Sequence, residues 1–175
     1  MIKRSKVYMV RAGSNGEDEE LVLERGLAII GFREFPSLEG VKRYDEILKI
    51  VTKTMPDLKP RAAGNYAGQL GAFAIWMQEG DLVVLPRKLT SQVAVGKVMG
   101  PYCYLKVNDE FRHTRQVKWI RPDVARTIFG QDLLASFAPF YTVCNISRND
   151  AEKRVDAILD GKPDPGPTHQ LHNGS

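Results

Sequence analysis

The stretch Ala62-Ala63-Gly64-Asn65-Tyr66-Ala67-Gly68-Gln69-Leu70, continuing through Trp76 to Gly80-Asp81-Leu82-Val83-Val84-Leu85-Pro86, decides how this chain folds. It reads as a short helix that opens with side-chain amides and feeds directly into a buried strand. At about 100° per residue, Asn65, Gln69, Ala72 and Trp76 share one helical face. Tyr66, Leu70, Phe73 and Met77 form the neighbouring apolar stripe. The apolar run Leu82 to Leu85, bracketed by Gly80-Asp81 and Pro86, predicts a strand covered on both faces. Two amides beside a tryptophan can grip a flat, hydrogen-bonding ring such as a nucleobase: amides match its edge and the indole stacks on its face. The same residues also suit a helix N-cap at Asn65, a solvated Gln69 and a core Trp76. Spacing leaves both readings open.

Outward from this stretch, the alternation of elements is frequent. Toward the N-terminus, Lys6 to Arg11 reads as a first strand and Glu17 to Arg25 as a helix with acids in its first turn, where the helix dipole favours them. Gly26 stops that helix, and Leu27 to Phe32 forms a second strand. Val41 to Met55 is an amphipathic helix with Pro56 just beyond it. Toward the C-terminus, Arg87 to Ser91 joins Leu82–Leu85 to Gln92–Met99 as a hairpin. Gly100-Pro101 breaks the run, and Tyr102 to Leu105 resumes it. In His113 to Ile120, His113, Arg115, Val117 and Trp119 share one face. Asp123 to Phe137 is helical in parts, interrupted at Gly130. Phe140 to Ile146 is a last strand, and Asn149 caps a final helix through Leu159. About six short strands and four helices predict the α+β class, with a small, strongly curved mixed or antiparallel sheet flanked by helices.

The 175 residues leave room for one domain, here residues 1–160, and the 43% apolar content is that of a folded protein. Gly161 to Pro167 is a linker by composition, and 161–175 is expected to be a disordered tail leading to a further C-terminal domain. No apolar run approaches the roughly 20 residues of a membrane span, and the N-terminus lacks the pattern of a signal peptide, so a cytoplasmic location and no membrane partner are expected. Cys103 and Cys144 are too few for a disulfide framework or a zinc site and read as buried thiols. The formal charge of +4 permits a polyanionic partner without requiring one.

Catalytic patterns are missing. Arg11-Ala12-Gly13-Ser14-Asn15-Gly16 has neither the phosphate-loop nor the dinucleotide spacing. There is no nucleophile elbow, and two of the three histidines, His169 and His172, sit in the tail. The expectation is a non-enzymatic fragment without metal or cofactor. For contacts to phosphate, the basic candidates are Arg11, Arg87, Lys88 and Arg115. Arg115 stands apart because it shares a strand face with Val117 and Trp119, and an arginine among apolar neighbours needs a partner: an internal carboxylate or a ligand phosphate.

Several blocks in order, Val10-Arg11-Ala12-Gly13, Ala28-Ile29-Ile30-Gly31-Phe32, Asn65-Tyr66-Ala67-Gly68-Gln69-Leu70, Gly80-Asp81-Leu82-Val83-Val84-Leu85-Pro86, Val95-Gly96-Lys97-Val98-Met99-Gly100-Pro101-Tyr102, His113-Thr114-Arg115-Gln116-Val117-Lys118-Trp119 and Gly130-Gln131-Asp132-Leu133-Leu134, resemble the N-terminal domain of Mrr-like restriction-system proteins, the modification-dependent (type IV) endonucleases. The set spans roughly residues 7 to 155. It is also similar to the PUA superfamily of EVE and YTH modified-base readers. That resemblance implies a curved β-barrel or sheet flanked by helices, a flipped base held in an aromatic pocket, modified double-stranded DNA as partner, and a C-terminal nuclease in the longer chain. By the same resemblance Asn65 and Gln69 meet the base edge, and Tyr66 or Trp76 forms a wall. Phe32 and Tyr66 stand where relatives often carry tryptophan. An RNA-binding module of the same shape, a nucleotide-sensing regulatory domain and a protein-interaction domain are the alternatives.

Overall fold

The computed structural model describes residues 5–167. Among these, six strands form one open sheet in the order β2-β5-β4-β3-β1-β6. The strands are β1 (Val7–Val10), β2 (Leu27–Ile30), β3 (Leu82–Pro86), β4 (Gln92–Val107), β5 (Glu110–Ala125) and β6 (Val143–Asn145). Only β1 and β3 run parallel; every other pairing is antiparallel. The α+β reading therefore holds, with an open sheet ending at β2 and β6.

β1 explains why the sheet sits where it does. Its four residues are all buried, and they alternate between two cores. Tyr8 and Val10 face the core built by the helices α2 (Tyr44–Thr54) and α3 (Pro60–Gly71). Val7 and Met9 face the core built by α4 (Gln131–Ser136) and α5 (Ala151–Leu159). A strand covered on both faces reads as an unbroken apolar run. A third, smaller cluster sits under α1 (Glu19–Arg25), where Val22 meets Ile29, Leu85 and Val107. Gly26 ends α1 at φ 67°, a left-handed cap that glycine adopts without strain.

Four local expectations are corrected. The helix does not open at Asn65: α3 begins at Pro60, whose missing N–H costs nothing at the first helical position, so Asn65 lies mid-helix. Gly100-Pro101 does not break the strand; β4 runs through it, with register shifts between Val98 and Tyr102 that bend the long β4–β5 hairpin. The predicted last strand shrinks to Val143–Asn145, leaving Phe140 and Tyr141 in the preceding loop. The helix α5 is preceded by Asn149 and Asp150, both in left-handed backbone. The Asn149 amide, rather than capping, donates to Asp132 O at 3.1 Å and Ser136 Oγ at 2.8 Å.

The expected linker is also partly ordered. Asp164 accepts from Arg154 Nε at 2.7 Å and from the Gly130 N–H at 2.8 Å, which folds residues 161–167 back onto α4 and α5. His169 and His172 lie outside the described residues. No helix among the described residues is long and apolar enough to cross a membrane.

Candidate functional site

α3 does not stop at Gly71 but unwinds into a π-helical turn, Ala72–Trp76. Such turns carry wider hydrogen bonds and recur at functional positions. Two features hold this one in place. Gly71 leaves room for the indole of Trp76, whose ring atoms would lie only 3.0 to 3.1 Å from a Cβ there. Arg115 caps the end of the turn: its guanidinium donates to Phe73 O at 3.0 Å, Met77 O at 2.9 Å and Gly100 O at 3.0 Å. Helix ends leave carbonyls without partners, and a cation suits them. Arg115 is 3% exposed, and burial pulls its pKa down while Asp81 opposes the shift. The inward arginine thus has its partners, three backbone carbonyls, and is withdrawn from the phosphate candidates. Asp81 braces the following turn, accepting from the Lys6 N–H at 3.0 Å and the Gln78 N–H at 2.8 Å.

Held in this way, α3 and the π-helical turn form one wall of a groove of about 550 Å³. Asn65, Gly68, Gln69 and Trp76 line that wall, with Tyr8 from β1 and Tyr141 from the loop before β6. Trp76 is 42% exposed and stacks on Tyr44, ring centroids 6.1 Å apart and planes 20° apart. Gln69 is spoken for: its Oε1 accepts from the Thr142 N–H at 2.9 Å and the Val143 N–H at 3.3 Å, and its Nε2 donates to Asn65 Oδ1 at 3.3 Å. Gln69 therefore ties helix to strand and orients Asn65, whose amide NH2 has no protein partner among the described residues. Gly68 borders the groove with open space where a Cβ would stand.

Tyr8 is the residue that sequence reading passed over, because it sits in an apolar run. The residue is 1% exposed, and its hydroxyl makes no hydrogen bond among the described residues. The side-chain polar atom there that is fully buried and unpartnered is Arg112 Nε, not Tyr8 Oη, which keeps some access to the groove. A buried polar group normally has a partner. Burial, then the Asp81 carboxylate, pushes its pKa up to about 12 against a smaller opposing effect of Arg115, so it stays a neutral phenol that can donate or accept.

The five predicted pocket residues do not form one cage. Asn65 and Gln69 also border a second hollow of about 380 Å³, and Tyr66 and Phe32 belong to that one, without Trp76. Their rings meet edge to face at 5.8 Å, and Phe32 has φ 49°, an uncommon backbone for a bulky residue. The Phe32 carbonyl is 3.1 Å from His113 Nε2, and Tyr102 Oη, which accepts from the Leu38 N–H at 3.1 Å, is 2.6 Å from His113 Nδ1. This relay fixes His113 as the tautomer with its proton on Nε2, and burial lowers its pKa.

The predicted phosphate ligands divide. Arg87 is satisfied internally, its Nε donating to the buried Glu19 at 3.1 Å, and is withdrawn. Glu19 also accepts from the Lys88 N–H at 2.7 Å and so shapes the β3–β4 turn. Arg11 and Lys88 do come together, in a hollow of about 500 Å³ that also holds the acids Glu17 and Asp18 and two cations not among the predicted ligands, Arg33 and Arg112. Their partners, Glu110 and Asp18, are 77 and 94 residues away in sequence.

Residues 8–134 match the model of the DUF8426 family, described as a domain of unknown function, and the chain belongs to that family. No curated protein matches the chain. The matched segment contains Tyr8, Asn65, Gln69 and Trp76 and stops short of Tyr141 and β6, which form the facing wall of the groove.

Proposed function

We propose that this DUF8426 domain is a non-catalytic reader of modified DNA, which takes a flipped base into the groove between α3 and β6. The observation that carries this reading is the Tyr8 hydroxyl, which has no partner among the described residues and belongs to a 1%-exposed residue on a groove that also offers the Asn65 amide and the exposed indole of Trp76. A flat heterocycle satisfies all three at once, through hydrogen bonds to its edge and stacking on its face. The sequence resemblance to Mrr-like N-terminal domains points the same way, toward modified double-stranded DNA and a C-terminal nuclease in a longer chain. Gln69 acts here as the residue that positions Asn65. Phe32 and Tyr66 support the groove from the neighbouring hollow.

The energetics are coherent. One methyl in a shaped apolar pocket discriminates by roughly 1–3 kcal/mol. Extruding the base costs a few kcal/mol. Contacts to phosphates from Arg33 and Lys88, the exposed cations of the hollow beside Arg11, supply the remainder, which makes the affinity salt-dependent.

The test is fluorescence polarisation at two salt concentrations with one duplex sequence carrying N6-methyladenine, 5-methylcytosine, 5-hydroxymethylcytosine or no modification. Wild type is expected to prefer one modified probe at both salts, and Tyr8→Phe to lose that preference. Equal binding to all four duplexes sinks the reading for these bases. Preference for single-stranded RNA, or thermal stabilisation by free nucleotides alone, would replace it with the RNA-binding or nucleotide-sensing alternative.

A further inference from the structure

Phe140 is fully exposed, at 101% relative accessibility, on the loop 138–142 between α4 and β6. A lone exposed ring needs no explanation. The way this one is held does. On one side, Arg11 Nη2 donates to Phe137 O at 2.8 Å and Pro139 O at 3.4 Å, and the Arg11 N–H donates to Thr142 O at 2.9 Å. On the other side, Gln69 Oε1 accepts from Thr142 and Val143. Pro139 fixes its own φ immediately before the tip. Both feet of the loop are therefore anchored, and an apolar ring is presented to solvent from a braced support.

Its surroundings are equally specific. Tyr141, the next residue, lines the groove with Tyr8 and Trp76. Phe140 and Tyr141 both line the hollow that holds Arg11, Arg33, Lys88 and Arg112. Across the surface the order is a concave groove, an apolar crest, then a hollow of mixed charge in which Arg33 and Lys88 are the exposed cations. An extruded nucleotide in duplex DNA presents the same order: the base, the gap it leaves in the stack, and the flanking phosphates. Apolar side chains that enter such gaps unstack base steps and hold the duplex open.

We propose that Phe140 is a wedge that enters the base stack of duplex DNA at the position vacated by the flipped base. This rests on the base-reading function proposed above. Phe140 touches no other ring among the described residues, so Phe140→Ala leaves the melting temperature unchanged, and its effect is read on the nucleic acid alone.

The experiment compares wild type, Phe140→Ala and Phe140→Leu on the four duplexes above and on the corresponding single strands. A single strand has no pair to open, so a wedge matters only on the duplex. Phe140→Ala is expected to weaken binding to the preferred modified duplex about tenfold and binding to its single strand less than about twofold. Phe140→Leu should restore most of the loss. Equal losses on duplex and single strand would make Phe140 a stacking platform and overturn the wedge, as would no loss on either. In both cases wild-type preference for the modified probe would leave the base-reading function standing. Wild type without such a preference overturns both.

Discussion

Arg154 and Tyr8 are buried to the same degree, each 1% exposed, yet their polar atoms are used in opposite ways. Arg154 spends every nitrogen. Its Nε and Nη2 bridge Asp164 at 2.7 and 2.8 Å; its Nη1 and Nη2 bridge Asp132 at 2.7 and 2.9 Å; and Nη1 also donates to Asn149 O at 3.0 Å. Two bidentate forks leave the guanidinium nothing to offer a ligand. The Tyr8 hydroxyl makes no hydrogen bond among the described residues. One end of the molecule is closed by complete satisfaction of buried polar groups, and the other keeps a buried group available. The hollow beside Arg154, about 520 Å³, is nearly the size of the groove beside Tyr8, so volume does not separate them. What separates them is whether the polar groups already have partners.

The largest expected effect comes from breaking the closed end. Arg154→Met leaves Asp132 and Asp164 without their cation and should cost about 3–5 kcal/mol, measured by urea unfolding. A loss below about 1 kcal/mol would mean that the network is decorative. The same network sets an acid limit. Hydrogen bonds from Arg154 hold the Asp132 pKa down at about 2. For Asp164, burial pushes upward, but Arg154 and the Gly130 and Gly166 N–H groups outweigh it, and its pKa is also lowered. Because the folded-state values lie below the unfolded ones, this stabilisation is fully present above about pH 4 and disappears as the pH falls toward 2. Asp132→Asn should flatten that part of the stability profile.

The difference between the two ends also marks what sequence can convey. The apolar runs of β1 and β3, the stripe of α2 and the glycine stop of α1 were legible because they are local consequences of burial period and backbone freedom. The face shared by Asn65, Gln69 and Trp76 was legible for the same reason. The start of α3 was not, since Gly64 and Gly68 resemble breakers when nothing shows that one lies near Tyr44 and the other on a groove. Partner choice was opaque. Arg87 finds Glu19 across 68 residues, and Gly130 finds Asp164 across 34. Arg115 reads as a cation in need of an anion, because no pattern announces the carbonyls of a π-helical turn. Tyr8 hid in a run whose other members are ordinary core.

Gly68 probes the groove at the other end of the molecule. It lies inside α3, where glycine is less favourable than alanine, and no steric neighbour demands it, because an added Cβ would meet nothing within 4 Å. Gly68→Ala should therefore stabilise the domain by about 0.5–1 kcal/mol. The added methyl borders the groove, so the same variant should bind the preferred modified duplex more weakly than wild type. Stability gained with binding unchanged would move the base out of this groove and toward the hollow of Phe32 and Tyr66.

The smallest expected effect is the most pointed. Tyr8→Phe removes one oxygen from a side chain as buried as Arg154, and in a closed polar network that deletion would strand a partner at a cost of about 1–3 kcal/mol. Here there is no partner to strand among the described residues. The variant should unfold within about 0.5 kcal/mol of wild type, as surface substitutions do. A loss near 2 kcal/mol would show that the hydroxyl is engaged in solution, and Tyr8 would join Arg154 as a structural group. A neutral result, with the ring packing of Tyr8 against the α2–α3 core retained, is what a hydroxyl bonded to groove water gives, and it leaves that hydroxyl free to exchange the water for a ligand.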